Sequence, residues 1–176
     1  MSRKNCIIGI DPGLSGGIAV YDPAAKKLVT VFAMPIITTQ NGRHTDRNID
    51  INKLALFISD AVMEYGVDNI VVEKVHSSPQ MGLASAFKFG EGFGIVRAVA
   101  ELYVPNCHYI SPQKWKARMM LSTDKKGSVE AARKLFGTSP WFVHSSKDGL
   151  AEAALIAHYA ARDIVTTPVE EEDPLS

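Results

Sequence analysis

The chain is poor in cysteine and has no long apolar run. Its two cysteines among 176 residues, Cys6 and Cys107, have neither zinc-ligand spacing nor a disulfide framework around them, so both read as reduced core residues. No segment reaches the roughly 18 uninterrupted apolar residues of a membrane span. Met1-Ser2-Arg3-Lys4 leads straight into an apolar strand, without the apolar core and cleavage site of a signal peptide. A cytoplasmic protein with no membrane partner is the expectation. Also missing are a P-loop, a dinucleotide fingerprint and a nucleophile elbow, so neither a small-molecule cofactor nor a protein nucleophile is expected.

Net charge is missing too, which at first argues against a nucleic-acid partner. The balance of 19 bases and 19 acids is deceptive, because Glu170, Glu171, Glu172 and Asp173 lie together in a Pro-flanked C-terminal stretch. Setting them aside leaves 19 bases against 15 acids, about +4 for the body. From 111 to 134, seven bases (Lys114, Lys116, Arg118, Lys125, Lys126, Arg133, Lys134) face only Asp124 and Glu130. That segment is a candidate phosphate-binding surface; an ordinary solvated helix face is the alternative. Length and composition fit one domain over 1–165 followed by an acidic, disordered tail over 166–176.

What is present is organised around Cys6 to Asp22. The apolar run Cys6 to Ile10 predicts a buried strand that breaks at Asp11-Pro12-Gly13, and Ile18 to Tyr21 can return beside it as a hairpin. Asp11 thus sits at a strand end beside glycine-lined space, placed either to hold a cation or to cap the turn. Lys27 to Met34 predicts a third antiparallel strand, and 36–50 a polar, exposed loop able to reach a ligand. Apolar residues at 51, 54, 57, 58, 61, 62 and 65 predict a helix capped by Asp50 and stopped at Gly66. Ile70-Val71-Val72 then ends in Glu73, repeating the first strand's pattern. Its continuous apolar character predicts a central parallel strand, which would bring Glu73 out at the same sheet edge as Asp11.

Leu83 to Leu102 has a helical pattern interrupted by Gly90, Gly92 and Gly94. A glycine inside a helix costs about 1 kcal/mol relative to alanine, so either close packing against a helix or DNA, or a break into two shorter helices, is expected. A strand over 106–110 follows, then a helix capped by Ser111-Pro112 with Trp115 as a core anchor, and a basic helix over 128–136. Residues 137–146 show no regular pattern. The last helix, 147–162, places Asp148 and Glu152 four apart on the face that carries Leu155 and Tyr159. Asp148 also complements the helix dipole, but Glu152 would be a buried like charge without a cation.

Four carboxylates therefore converge: Asp11, Glu73, Asp148 and Glu152. Such a cluster needs counter-charge, and oxygen ligands without Cys or paired His select Mg²⁺ or Mn²⁺. Two such ions roughly 3.5–4 Å apart hydrolyse phosphodiesters without a protein nucleophile.

The stretch IIGIDPGLSGGIAVYD resembles the first motif of RuvC-type Holliday-junction resolvases, IVVEKVHS the second and KDGLAEAALIAHYAAR the last. The resemblance covers nearly the whole domain in the family's order. It implies a ribonuclease-H-like α/β fold, a five-stranded mixed sheet flanked by helices, and a homodimer. It also implies symmetric nicking of four-way DNA junctions with two ions per site, held by Asp11, Glu73, Asp148 and Glu152. Lys74, His76, Lys88, Lys114, Lys116, Arg118, Lys125 and Lys126 become the expected DNA contacts. The small size and the long segment after the third strand are similar to phage-encoded members, which would place the protein in a host cytoplasm. Two departures stand out: the last acids are four apart where many bacterial members have three, and Lys74, Val75 and His76 stand where those enzymes carry an intruding aromatic. Competing expectations are a less selective flap or branched-DNA nuclease, an actin-like ATPase or sugar kinase, and a junction-binding scaffold that does not cut.

Overall fold

The computed structural model describes residues 5–42, 44–74, 81–121, 125–137, 139–142 and 148–165. Strands β1 (Ile7–Asp11), β2 (Gly17–Asp22), β3 (Lys27–Ala33), β6 (Asn69–Glu73) and β7 (Asn106–Ile110) form one sheet in the order β3-β2-β1-β6-β7. β1 runs antiparallel to β2 and parallel to β6, and β6 is parallel to β7, so the sheet is mixed as expected. Ile10 pairs with Val72, and the residues that follow them, Asp11 and Glu73, end neighbouring strands side by side.

Strand parity decides what each face carries. Ile7, Ala19, Tyr21 and Val71 pack with helix α5 (Asp148–Asp163), α4 (Lys125–Phe136) and Trp115 of α3 (Pro112–Arg118). The alternate residues Ile8, Ile10, Val20, Ile70 and Val72 pack with α1 (Ile51–Tyr65) and α2 (Leu83–Tyr103) on the other face. With a period of two, Asp11 falls on the α5 side with Ile7, and Glu73 with Val71. Gly9 lies between Ile7 and Asp11 on that side, where a Cβ would stand 2.3 Å from the Ala153 carbonyl oxygen and 2.4 Å from the Ala157 nitrogen. Only a bare backbone lets α5 lie this close to β1.

The α1 boundaries follow the sequence reading: Asp50 accepts from the Lys53 N–H at 3.1 Å, and Gly66 adopts the left-handed conformation at the C-terminus. Ser111 likewise caps α3. α4 begins at Lys125, three residues before the expected start. A single 3₁₀ turn (Pro140–Phe142) forms within the segment expected to be irregular.

One expectation changes, and one open choice is decided. Residues 36–50 are not a loop: β4 (Ile36–Asn41) and β5 (His44–Ile49) pair as a hairpin, from Ile36 with Ile49 to Asn41 with His44. Ile36, Ile37, Thr38, Thr39 and Thr45 supply β-branched residues, and Asn41-Gly42 supplies the turn, with Gly42 at φ +63°. The polar composition hid the strands because cross-strand bonding uses the main chain. α2, in turn, runs unbroken over 21 residues despite its glycines. Gly92 approaches Ile49, whereas a Cβ on Gly90 or Gly94 would meet nothing within 4 Å.

Candidate active site

The β1–β2 turn is built by close backbone contact. Asp11 Oδ1 accepts from the Gly13 N–H at 3.1 Å, and the Gly16 N–H donates to the Gly13 carbonyl at 2.8 Å. A Cβ on Gly149 would stand 2.3 Å from the Ser15 carbonyl oxygen, so the first turn of α5 rests on this turn's backbone and delivers Asp148 beside Asp11. One helical turn on, Glu152 follows on the same side. A cleft of about 250 Å³ opens here, lined by Asp11, Asp148, Glu152, Lys116 and the glycine-rich turn.

Asp11 satisfies both readings of its position, capping the turn and facing the other acids. The residue as a whole is partly buried, but its carboxyl lies deep. Burial pushes its pKa up to about 7, against the pull of the Gly13 N–H, with Glu73, Glu152 and Asp148 each raising it further. The four acids expected to converge therefore share one electrostatic neighbourhood. Burial likewise raises Glu73, opposed by its bond from Trp115 and the charge of Lys116.

Three partners were not legible beforehand. The buried Trp115 Nε1–H donates to Glu73 Oε1 at 2.8 Å, so Trp115 is a core anchor that also holds an acid. Lys116 Nζ donates to Glu152 Oε1 at 2.7 Å, and the fully buried Ser128 hydroxyl donates to the same oxygen at 3.0 Å. The available signal was positional: β7 lies beside β6, Ile110 pairs with Glu73, and α3 starts right after Ile110.

The donor set is all carboxylate and fits a hard divalent cation. Asp11's raised pKa points the same way, since a buried anion among three others lacks counter-charge. Among the described residues, however, no three His, Cys, Asp or Glu side chains are gathered closely enough to hold one ion. Glu73 and Glu152 are engaged with α3 and Ser128, and sharing an ion requires them to turn.

The expected DNA contacts are spread out. Lys116 points into the acid cleft; Arg118 bonds Asp163 at 2.6 Å; Lys114 is exposed and lines a separate cleft with Arg118 and Tyr159. Arg133 Nε donates to the Phe142 carbonyl at 2.7 Å, so the 111–134 segment is not one uniform basic face. Lys88 pairs with Asp46 of the β4–β5 hairpin at 2.9 Å and lines a cleft of about 490 Å³ that shares Ser15 with the acid cleft. Lys74 is exposed; His76 and the side chains of Lys125 and Lys126 lie outside the described residues, as does the 166–176 tail.

Comparison with known proteins bears on the family and the fold. The family model for crossover junction endodeoxyribonuclease RuvC matches residues 7–131, a range that includes Asp11 and Glu73 and ends before α5. Among solved structures, Thermus thermophilus RuvC in complex with a Holliday junction substrate is similar, with a TM-score of 0.57, 18% identity, and 89% of this chain and 94% of that chain covered. A second structure of Thermus thermophilus RuvC gives a TM-score of 0.54 and 17% identity, covering 89% of this chain and 95% of that one. These likenesses show the ribonuclease-H-like fold. No curated protein matches the chain significantly. With the family model spanning most of its length, the chain belongs to the RuvC family of crossover junction endodeoxyribonucleases.

Proposed function

We propose that this protein is a structure-selective endonuclease that resolves four-way DNA junctions by phosphodiester hydrolysis. The observation that carries the reading is the deep carboxyl of Asp11, raised to about 7 with Glu73, Asp148 and Glu152 around it, at the open end of the sheet of a RuvC-family chain. RuvC-family resolvases depend on divalent metal. Here Asp11, Glu73, Asp148 and Glu152 are the residues that would hold Mg²⁺ or Mn²⁺, two ions per site. When bound, the ions supply an activated water and neutralise the charge that develops on the leaving oxygen.

The chain's own part is to position and to neutralise. Close backbone contact between the β1–β2 turn and the α5 N-terminus sets the main-chain positions from which Asp11 and Asp148 project. Trp115 and Ser128 orient Glu73 and Glu152. Lys114 and Arg118 on one side, with Lys74 and Lys88 on others, are the bases proposed to meet phosphates, joined by His76, Lys125 and Lys126. A homodimer would place two such sites on one junction for paired cuts, and the exposed face of α2, with Leu83, Phe87, Gly90 and Gly94, is the surface proposed for it.

The test replaces Asp11 with Asn and assays a synthetic four-way junction. Cleavage is expected to disappear while junction binding in Ca²⁺ persists; retained cleavage would sink the assignment. Running a flap and a linear duplex alongside the junction separates a resolvase from a less selective branched-DNA nuclease. Binding to the junction without cutting in any metal identifies a scaffold.

A further inference from the structure

The ammonium of Lys116 lies inside the acid cleft, not on the surface. Its 2.7 Å bond to Glu152 joins side chains that are 18% and 12% exposed, so water screens the pair poorly. The Lys116 ammonium also sits 5.2 Å from the centre of the Trp115 ring, the residue whose indole holds Glu73. Successive residues of α3 thus engage two of the four acids, and both Lys116 and Ser128 bond the same Glu152 oxygen. This is the arrangement in which, among the described residues, no three acids are gathered for an ion.

We propose that Lys116 is a resident counter-cation that competes with divalent metal for Glu152, and that metal entry releases its ammonium to a DNA phosphate. The inference rests on the metal-site reading above and deepens it. Neighbouring carboxylates that are ionised need positive charge nearby, and in the metal-free protein Lys116 supplies it to Glu152. A divalent ion brings twice the charge and draws Glu152 away. The lysine is then left in a desolvated cleft without its partner, where the anion that can replace Glu152 is the backbone being cut. A compact ammonium on a flexible stem suits this exchange better than a guanidinium fixed in a bidentate fork. Metal and DNA would then strengthen each other's binding through one side chain.

The experiment titrates Mn²⁺ by calorimetry, without DNA, into the wild type, Lys116→Met, Lys116→Arg and Lys114→Met. Lys116→Met is expected to bind Mn²⁺ roughly tenfold tighter, the effect of removing a competitor of about 1.4 kcal/mol. Lys116→Arg should stay near the wild type. Lys114→Met, the same charge change on an exposed neighbour two residues away, should move the affinity less than about twofold because solvent screens it. In a second measurement, adding Ca²⁺ should steepen the salt dependence of junction binding by about one unit in the wild type and not in Lys116→Met. Equal Mn²⁺ affinity of the wild type and Lys116→Met, or equal gains from Lys116→Met and Lys114→Met, would overturn the proposal. Should Lys116→Met melt below the assay temperature, Lys116→Gln is titrated in its place under the same criteria. A wild type that binds no Mn²⁺ would instead overturn the metal-site reading, a separate failure.

Discussion

Asp11 is where stability and chemistry pull against each other. Its folded pKa of about 7 lies well above the ordinary 3.8, so the folded, metal-free protein holds a proton that the unfolded chain releases earlier. The stability this group contributes is therefore complete below about pH 4 and is lost as pH rises through about 7, on the order of a few kcal/mol. Melting temperatures measured in a chelator should fall across that window for the wild type and stay flatter for Asp11→Asn. Gly9 makes a second demand at this scale. Its missing Cβ would strike backbone atoms of Ala153 and Ala157 at 2.3 and 2.4 Å, and backbone on both sides cannot move aside. Gly9→Ala is expected to destabilise by about 3 kcal/mol or more, read from denaturant unfolding.

Among the elements, α2 and the β4–β5 hairpin hold what the family resemblance left open. Gly90 and Gly94 each weaken the helix and leave open space over it, with no contact among the described residues that a Cβ would disturb. Replacing both with Ala should stabilise the fold at high dilution by up to about 1 kcal/mol per site, read as a higher melting temperature. If the bare face serves a second copy, the same pair of changes weakens self-association in sedimentation. The hairpin's polar residues give no apolar strand pattern, yet it is fastened to α2 by Lys88, which bonds both Asp46 and Asn48. That fastening joins elements about 40 residues apart in sequence.

For the molecule as a whole, the proposed metal site would make folding and metal binding one equilibrium. A ligand present at 100 times its dissociation constant adds about 2.7 kcal/mol to stability, which for a domain of this size shifts the melting temperature by roughly 5–10 °C. Mn²⁺ at pH 7.5 is expected to give a shift of that order to the wild type and little to Asp11→Asn, as read by differential scanning calorimetry. The fold also disfavours the actin-like ATPase expectation, which calls for two related domains: the described residues form one five-stranded sheet and a small hairpin. No helix among them is long and apolar enough to cross a membrane.

The sequence by itself determined the strand ends, the helix caps and the faces on which the acids lie. These depend on periods of 2 and 3.6 residues and on the turn chemistry of Asp, Ser, Pro and Gly, all local properties of the chain. Only the tertiary structure decided that Lys116 turns inward to Glu152, 36 residues away, and that Trp115 reaches Glu73, 42 residues away. Those pairings depend on how closely α3 and α5 settle against the sheet, a distance set by packing at glycines such as Gly9 and Gly149 and carried by no local pattern.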